Sequence, residues 1–299
     1  MSDQLPADGP KVVALGGGHG LGAVLRAARS YASSITAVVS VADDGGSSGR
    51  LRREMEVLAP GDVRKSLVAL ASEHNVWSDA FEHRFHGGDL DGHAFGNLVL
   101  VGLAQSLGSF SRAVAECGAL LDVVGWVYPA TCDPVALKAS VADGAWVEGQ
   151  VEIEASREIG RVELVPPDVR TGPDALAAIA QADQIVIAPG SLFTSVVPVV
   201  CANDIRQAIA STSATVVQVA NLVAVTPEVE GLDGTDHLRA VLDHGARVDV
   251  FCYSPHSALA VDPAAVEALG VTPVAADVAD PGAGVHDPNR LARALAPLT

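Results

Sequence analysis

Twice near its start the chain runs a short, unbroken apolar stretch straight into glycines and then into helix-forming residues. Residues 11–15 (KVVAL) meet Gly16, Gly17, Gly18, His19, Gly20, Leu21 and Gly22, followed by AVLRAAR at 23–29. Residues 35–40 (ITAVVS) meet Val41, Ala42, Asp43, Asp44, Gly45, Gly46, Ser47, Ser48, Gly49 and Arg50, followed by LRREME. Apolar runs without alternation read as strands buried on both faces, which is the state of a parallel sheet covered by helices. The pattern therefore restricts the chain to an α/β fold with ligands expected at the carboxyl ends of its strands.

Those strand ends carry the chemistry. Gly18, Gly20 and Ala23 fit a G-x-G-x-x-A phosphate loop, and Asp43 follows at about the distance of a ribose contact. Glycines at 17, 18, 20 and 45 let backbone N–H groups approach an oxyanion, and Arg50 can grip a phosphate through two bonds. Asp43 and Asp44 could share a Mg²⁺ ion or accept hydrogen bonds from sugar hydroxyls, while Ser47 and Ser48 add hydroxyl groups. His19 reads equally as a ligand contact or a solvated loop residue.

Three later stretches repeat the logic. Pro60, Gly61 and Asp62 start a predicted helix in which Asp62 is an N-cap candidate. Arg64 and Lys65 then sit on a first turn that disfavours cations, which points to an anion nearby; of the two, Arg64 is the expected contact. Residues 86–97, rich in glycine and ending at Asn97, lead into an apolar helix; Asn97 reads as a cap or as a reader of a base or sugar. The buried-strand pattern at 184–188 ends in Pro189, Gly190, Ser191 and, further on, Thr194, while another at 215–220 ends at Asn221. Residues 123–128 and 146–153 alternate apolar and polar residues, and the β-rich part at about 123–166 breaks the βα rhythm. The expected architecture is a Rossmann-like, doubly wound, mostly parallel sheet with an antiparallel β-rich insertion at about 123–166, formed as one domain over 11–299 behind a flexible tail at 1–10.

Composition narrows the function classes. A formal net charge of −17 repels nucleic acid and anionic membranes. No apolar run reaches the ~18 residues of a membrane span, and the first ten residues lack a signal-peptide core, so a cytoplasmic location is expected. Cys117, Cys132, Cys201 and Cys252 lie far apart, without zinc or redox spacing. A homodimer is the default for such a chain.

With these motifs in place, the chain resembles the gluconeogenesis factor (YvcK) family, within a wider group that holds the 2-phospho-L-lactate transferases (CofD) of coenzyme F420 synthesis. Its carriers are the glycine loop at 16–21, the acidic run at 43–51, Gly61 to Arg64, Gly92 to Leu98, and residues 189–195. The resemblance implies a nucleotide-binding regulator, with a UDP-sugar such as UDP-N-acetylglucosamine as ligand and a role in cell shape and wall synthesis on gluconeogenic carbon sources. The alternative is a Mg-dependent phosphotransferase like the F420 branch, with Asp43 and Asp44 on the metal and Arg50 and Arg64 on the transferring group.

Overall fold

The computed structural model describes residues 4–72, 75–224, 226–280 and 284–299. Ten strands follow one another along the chain: β1 (Lys11–Gly16), β2 (Ser34–Val39), β3 (Trp126–Pro129), β4 (Ala136–Ser140), β5 (Trp146–Glu148), β6 (Val162–Val165), β7 (Gln184–Ile187), β8 (Thr215–Val219), β9 (Val250–Tyr253) and β10 (Thr272–Ala275). Seven form one sheet in the order β10-β9-β8-β7-β1-β2-β3, every pair parallel. The central strands are buried on both faces, as their unbroken Val, Ile and Ala runs require: Val12 to Leu15 and Ile35 with Ala37 to Val39 are at most 2% exposed.

The strand order decides where a ligand can sit. From β1 the chain winds outward to β3 on one side, then returns to β7 and winds outward to β10 on the other. Right-handed crossovers consequently place helices on opposite faces, and the splayed loops of β1 and β7 leave a crevice between them. The helices that matter here are α1 (Gly18–Ala28), α2 (Gly46–Met55), α3 (Gly61–Leu70), α4 (Val76–Glu82), α5 (Phe95–Leu107), α6 (Phe110–Leu121) and α7 (Gln150–Ala155). The closing helix Pro288–Leu295 packs against α1. Gln184 of β7, fully buried, ties this closing helix down by donating to the carbonyls of Leu295 and Leu298 while accepting from the Tyr31 hydroxyl.

The antiparallel part is smaller than its sequence suggests. β3, read as part of that stretch, is instead the parallel edge strand of the main sheet, with Thr36 opposite Trp126 and Val39 opposite Pro129. Only β5-β4-β6 form the separate antiparallel sheet, with Lys138 opposite Glu148 and Glu163. Met1 to Asp3 of the expected tail lie outside the described residues, whereas Gly9 and Pro10 are bonded through their carbonyls to Ser33. No described helix is long and apolar enough to cross a membrane.

Candidate functional site

The crevice between the ends of β1 and β7 opens into two joined hollows. The larger, of about 540 Å³, has apolar walls from Ala23, Val68, Leu222, Val223, Val229 and Val285, with Arg26, Glu82 and His286 among its polar groups. The smaller, of about 330 Å³, is polar, with Ser40, Asp43, Asp62, Gln150, Thr194 and Ser195 on its walls. Gly18, His19, Gly20, Lys65, Gly190 and Ser191 border both and form the neck between them.

Two glycines make the neck. A Cβ on Gly20 would fall on the Pro189 carbonyl, and one on Gly17 would fall on the Asp62 carboxylate. Only glycine allows the start of α1, the loop after β7 and the start of α3 to approach this closely. Gly17 caps α1 with extended backbone and no side-chain bond, and no acidic residue occupies the helix's first turn. The first-turn amides are therefore not satisfied by a cap and suit an anion. Opposite, Asn221 holds the other loop: its Oδ1 accepts from the Gly190 amide at 3.0 Å and its Nδ2 donates to the Gly190 carbonyl at 2.8 Å. Gly190 thus supplies shape rather than a free amide. Thr194, 3% exposed, keeps its hydroxyl without a hydrogen-bond partner on the wall of the polar hollow.

The polar hollow carries two carboxylates. Asp62 accepts from Lys65 Nζ at 3.0 Å, across one helical turn of α3. Asp43 accepts from the Gly45 amide at 2.9 Å. Burial, reinforced by Asp62, raises the Asp43 carboxyl above the ordinary range, against the lowering effect of the Gly45 amide and the Ser48 hydroxyl. Burial, together with Lys65, lowers the His19 imidazole below the ordinary range, against the raising effect of Asp62 and Glu82.

Of the residues read as ligand contacts, Gly17, Gly18, His19, Gly20, Asp43, Asp62, Gly190, Ser191, Thr194 and Asn221 meet at this crevice. The others build its supports. Asp44 turns away from Asp43: its two oxygens accept from the amides of Gln150 at 2.8 Å and Val151 at 3.0 Å, at the start of α7. Asp44 is thereby tied to α7, and of the two carboxylates read as Mg²⁺ ligands only Asp43 lines the polar hollow. Among the described residues, no group of three or more His, Cys, Asp and Glu side chains could hold a metal ion.

Ser47, Arg64 and Asn97 form a buried chain. Asn97 donates to Ser47 Oγ at 3.0 Å and accepts from Arg64 Nε at 3.2 Å, and Arg64 continues to Glu82 and the Phe81 carbonyl. Ser47 also meets His93 Nδ1 at 3.1 Å. Arg64 is 2% exposed and faces away from the crevice; the neighbouring Lys65 is the cation that reaches it. Arg50 donates to the Asp91 carbonyl at 2.6 Å, outside both hollows. Gly45 and Ser48 serve Asp43 as described. Lys65, Arg26, Glu82, Gln150 and His286 complete the site without having been selected from sequence. For Lys65 a signal existed, because its i,i+3 spacing from Asp62 puts the two on one helix face.

A parallel sheet whose cleft opens at the reversal of strand order defines a Rossmann-like α/β protein with a switch-point site. The chain belongs to the 2-phospho-L-lactate transferase CofD family, whose profile matches residues 12–279, and within that family its relatives are gluconeogenesis factors. A putative gluconeogenesis factor of Nostoc sp. PCC 7120 is 45% identical over 235 residues, which cover 78% of this chain and 52% of the relative. The chain thus spans about half the length of that cyanobacterial protein. A putative gluconeogenesis factor of Mycobacterium tuberculosis H37Rv is 42% identical over 95% of this chain and 89% of its own length. The crystal structure of a UPF0052-family protein from Bacillus halodurans superposes with a TM-score of 0.93 at 36% identity, covering 97% of this chain and 99% of that one.

Proposed function

We propose that the protein is a nucleotide-sugar-binding regulator, with a UDP-sugar such as UDP-N-acetylglucosamine as its ligand. The observation that carries this reading is the neck: an uncapped glycine-rich helix start and a glycine-serine loop face each other between one apolar and one polar hollow. A diphosphate placed in the neck meets the first-turn amides of α1, the hydroxyl of Ser191, and Lys65. The apolar hollow then takes the base against Leu222, Val223 and Val285, and the polar hollow takes the sugar. The net charge of −17 opposes such a ligand at long range, so affinity depends on these local donors.

The names of the gluconeogenesis-factor relatives support a role in growth on gluconeogenic carbon; the role proposed within it is in cell shape and wall synthesis, with the bound sugar nucleotide as the signal. Isothermal titration with UDP-N-acetylglucosamine tests the binding. Saturable binding that Lys65→Met weakens by about tenfold or more supports the reading; no heat at millimolar ligand contradicts it.

A further inference from the structure

The polar hollow has an unusual balance for a compartment next to a phosphate site. It holds two carboxylates, Asp43 and Asp62, against one lysine, and that lysine is paired with Asp62 at 3.0 Å. His19 is at the neck, where burial and Lys65 lower its imidazole below the ordinary range. The remaining side-chain polar groups are uncharged: Ser40, Gln150, Ser191, Thr194 and Ser195. Thr194, 3% exposed, lines this space, and its buried hydroxyl has no partner in the protein. Such a group indicates a ligand atom that completes it.

We propose that this compartment reads an uncharged, hydroxyl-bearing group, and that Asp43 and Asp62 are its specificity-determining residues. Resting on the reading of the neck as a diphosphate site, the inference assigns the far end of the ligand. The carboxylates accept hydrogen bonds from hydroxyls, Thr194 and Gln150 supply further bonds, and a third phosphate or a sugar carboxylate is turned away. An anion there meets a net negative charge, two carboxylates against one lysine already paired with Asp62, in a partly desolvated space, whereas hydroxyls replace the water bonds that the carboxylates lose on binding. The placement of Asp43 is built in: its Oδ1 is fixed by the Gly45 amide at 2.9 Å, and a Cβ on Gly61 would crowd its other oxygen at 3.1 Å. The site therefore discriminates among nucleoside diphosphates by what caps the second phosphate.

The test compares three probes by titration calorimetry, in EDTA and again with magnesium: UDP-N-acetylglucosamine, its C6 carboxylate counterpart UDP-N-acetylglucosaminuronate, and UTP. The expected result is that both anionic probes bind about tenfold or more weakly than UDP-N-acetylglucosamine, with or without magnesium. Asp43→Asn should narrow the gap for the uronate, and Asp62→Asn, which frees Lys65, should narrow it further. Uronate or UTP binding as tightly as the neutral sugar overturns the inference while leaving the diphosphate reading intact. So does a magnesium-dependent rise of UTP to equal affinity, which would make the carboxylates metal ligands. An unchanged gap in both variants, each with a wild-type melting curve, also overturns it. Absence of UDP-N-acetylglucosamine binding removes the diphosphate reading and this inference with it. The wild-type comparison needs no variant, so poor folding of either substitution leaves the test decisive.

Discussion

Arg64 and Lys65 are neighbours with different work. Arg64 is 2% exposed and bonds Asn97, the Phe81 carbonyl and Glu82; removing its guanidinium leaves buried acceptors without donors. Arg64→Met should cost on the order of 3 kcal/mol, read by urea unfolding. Lys65→Met should leave the midpoint almost unchanged and weaken nucleotide binding, so the pair separates scaffold from site. Glu228 is a second instructive residue. It is 1% exposed, and burial, with Glu154 of α7 adding repulsion, pushes its carboxyl up to about 7 in spite of the amides of Leu192 and Phe193 and the Thr226 hydroxyl. The folded protein therefore holds this proton more tightly than the unfolded chain. Its contribution is present below about pH 4.5 and is lost as pH rises through about 7, a change on the order of 3 kcal/mol. Glu228→Gln should flatten that fall in chemical denaturation between pH 5 and 8. His237, lowered to about 4 by burial, acts in the opposite sense. Its neutral form supports the fold above about pH 6.5, and that support is lost as pH falls through about 4.

At the scale of elements, the antiparallel β4-β5-β6 sheet is fastened to the site through Asp44. Its carboxylate accepts from two amides at the start of α7, and Gln150 of the same helix turns toward the polar hollow. Asp44→Ala should free this attachment at a local cost of about 1–3 kcal/mol. The expected signature is faster amide hydrogen exchange across residues 136–165, with β1 and β2 unchanged. Equal exchange in both proteins would mean that Asp44 does not hold the insertion. Adjacent in sequence, Asp43 and Asp44 read as joint Mg²⁺ ligands or as acceptors for sugar hydroxyls, but only Asp43 lines the polar hollow. The two residues lie in the loop after β2, and the amides at the start of α7 hold Asp44 while the Gly45 amide holds Asp43. The same kind of error put Arg64, rather than Lys65, in the crevice: the pattern showed a cation on a first turn, but only the helix phase tells which of two neighbours faces inward.

At the scale of the whole molecule, the parallel sheet was legible because its strands are short apolar runs ending in glycine, a local and strong signal. The strand order was not. Nothing local shows that β7 lies beside β1, or that β3 joins the main sheet rather than the antiparallel one, because those pairings join residues far apart in the chain. Loop convergence was therefore expected from fold class, and the observed order explains it: the glycine loop after β1 and the Pro189–Gly190–Ser191 turn after β7 meet where the winding reverses. Residues such as Glu82, Gln150 and His286 reach the crevice from distant segments and carry no motif of their own. The most direct measurement of the central claim is a crystal structure of the protein with UDP-N-acetylglucosamine. The expected density shows the diphosphate in the neck between the start of α1 and Ser191, with the base against Leu222 and Val285 and the sugar beside Asp43 and Thr194. A nucleotide bound outside the β1–β7 crevice, or lying in it with its phosphates away from the neck, would contradict it.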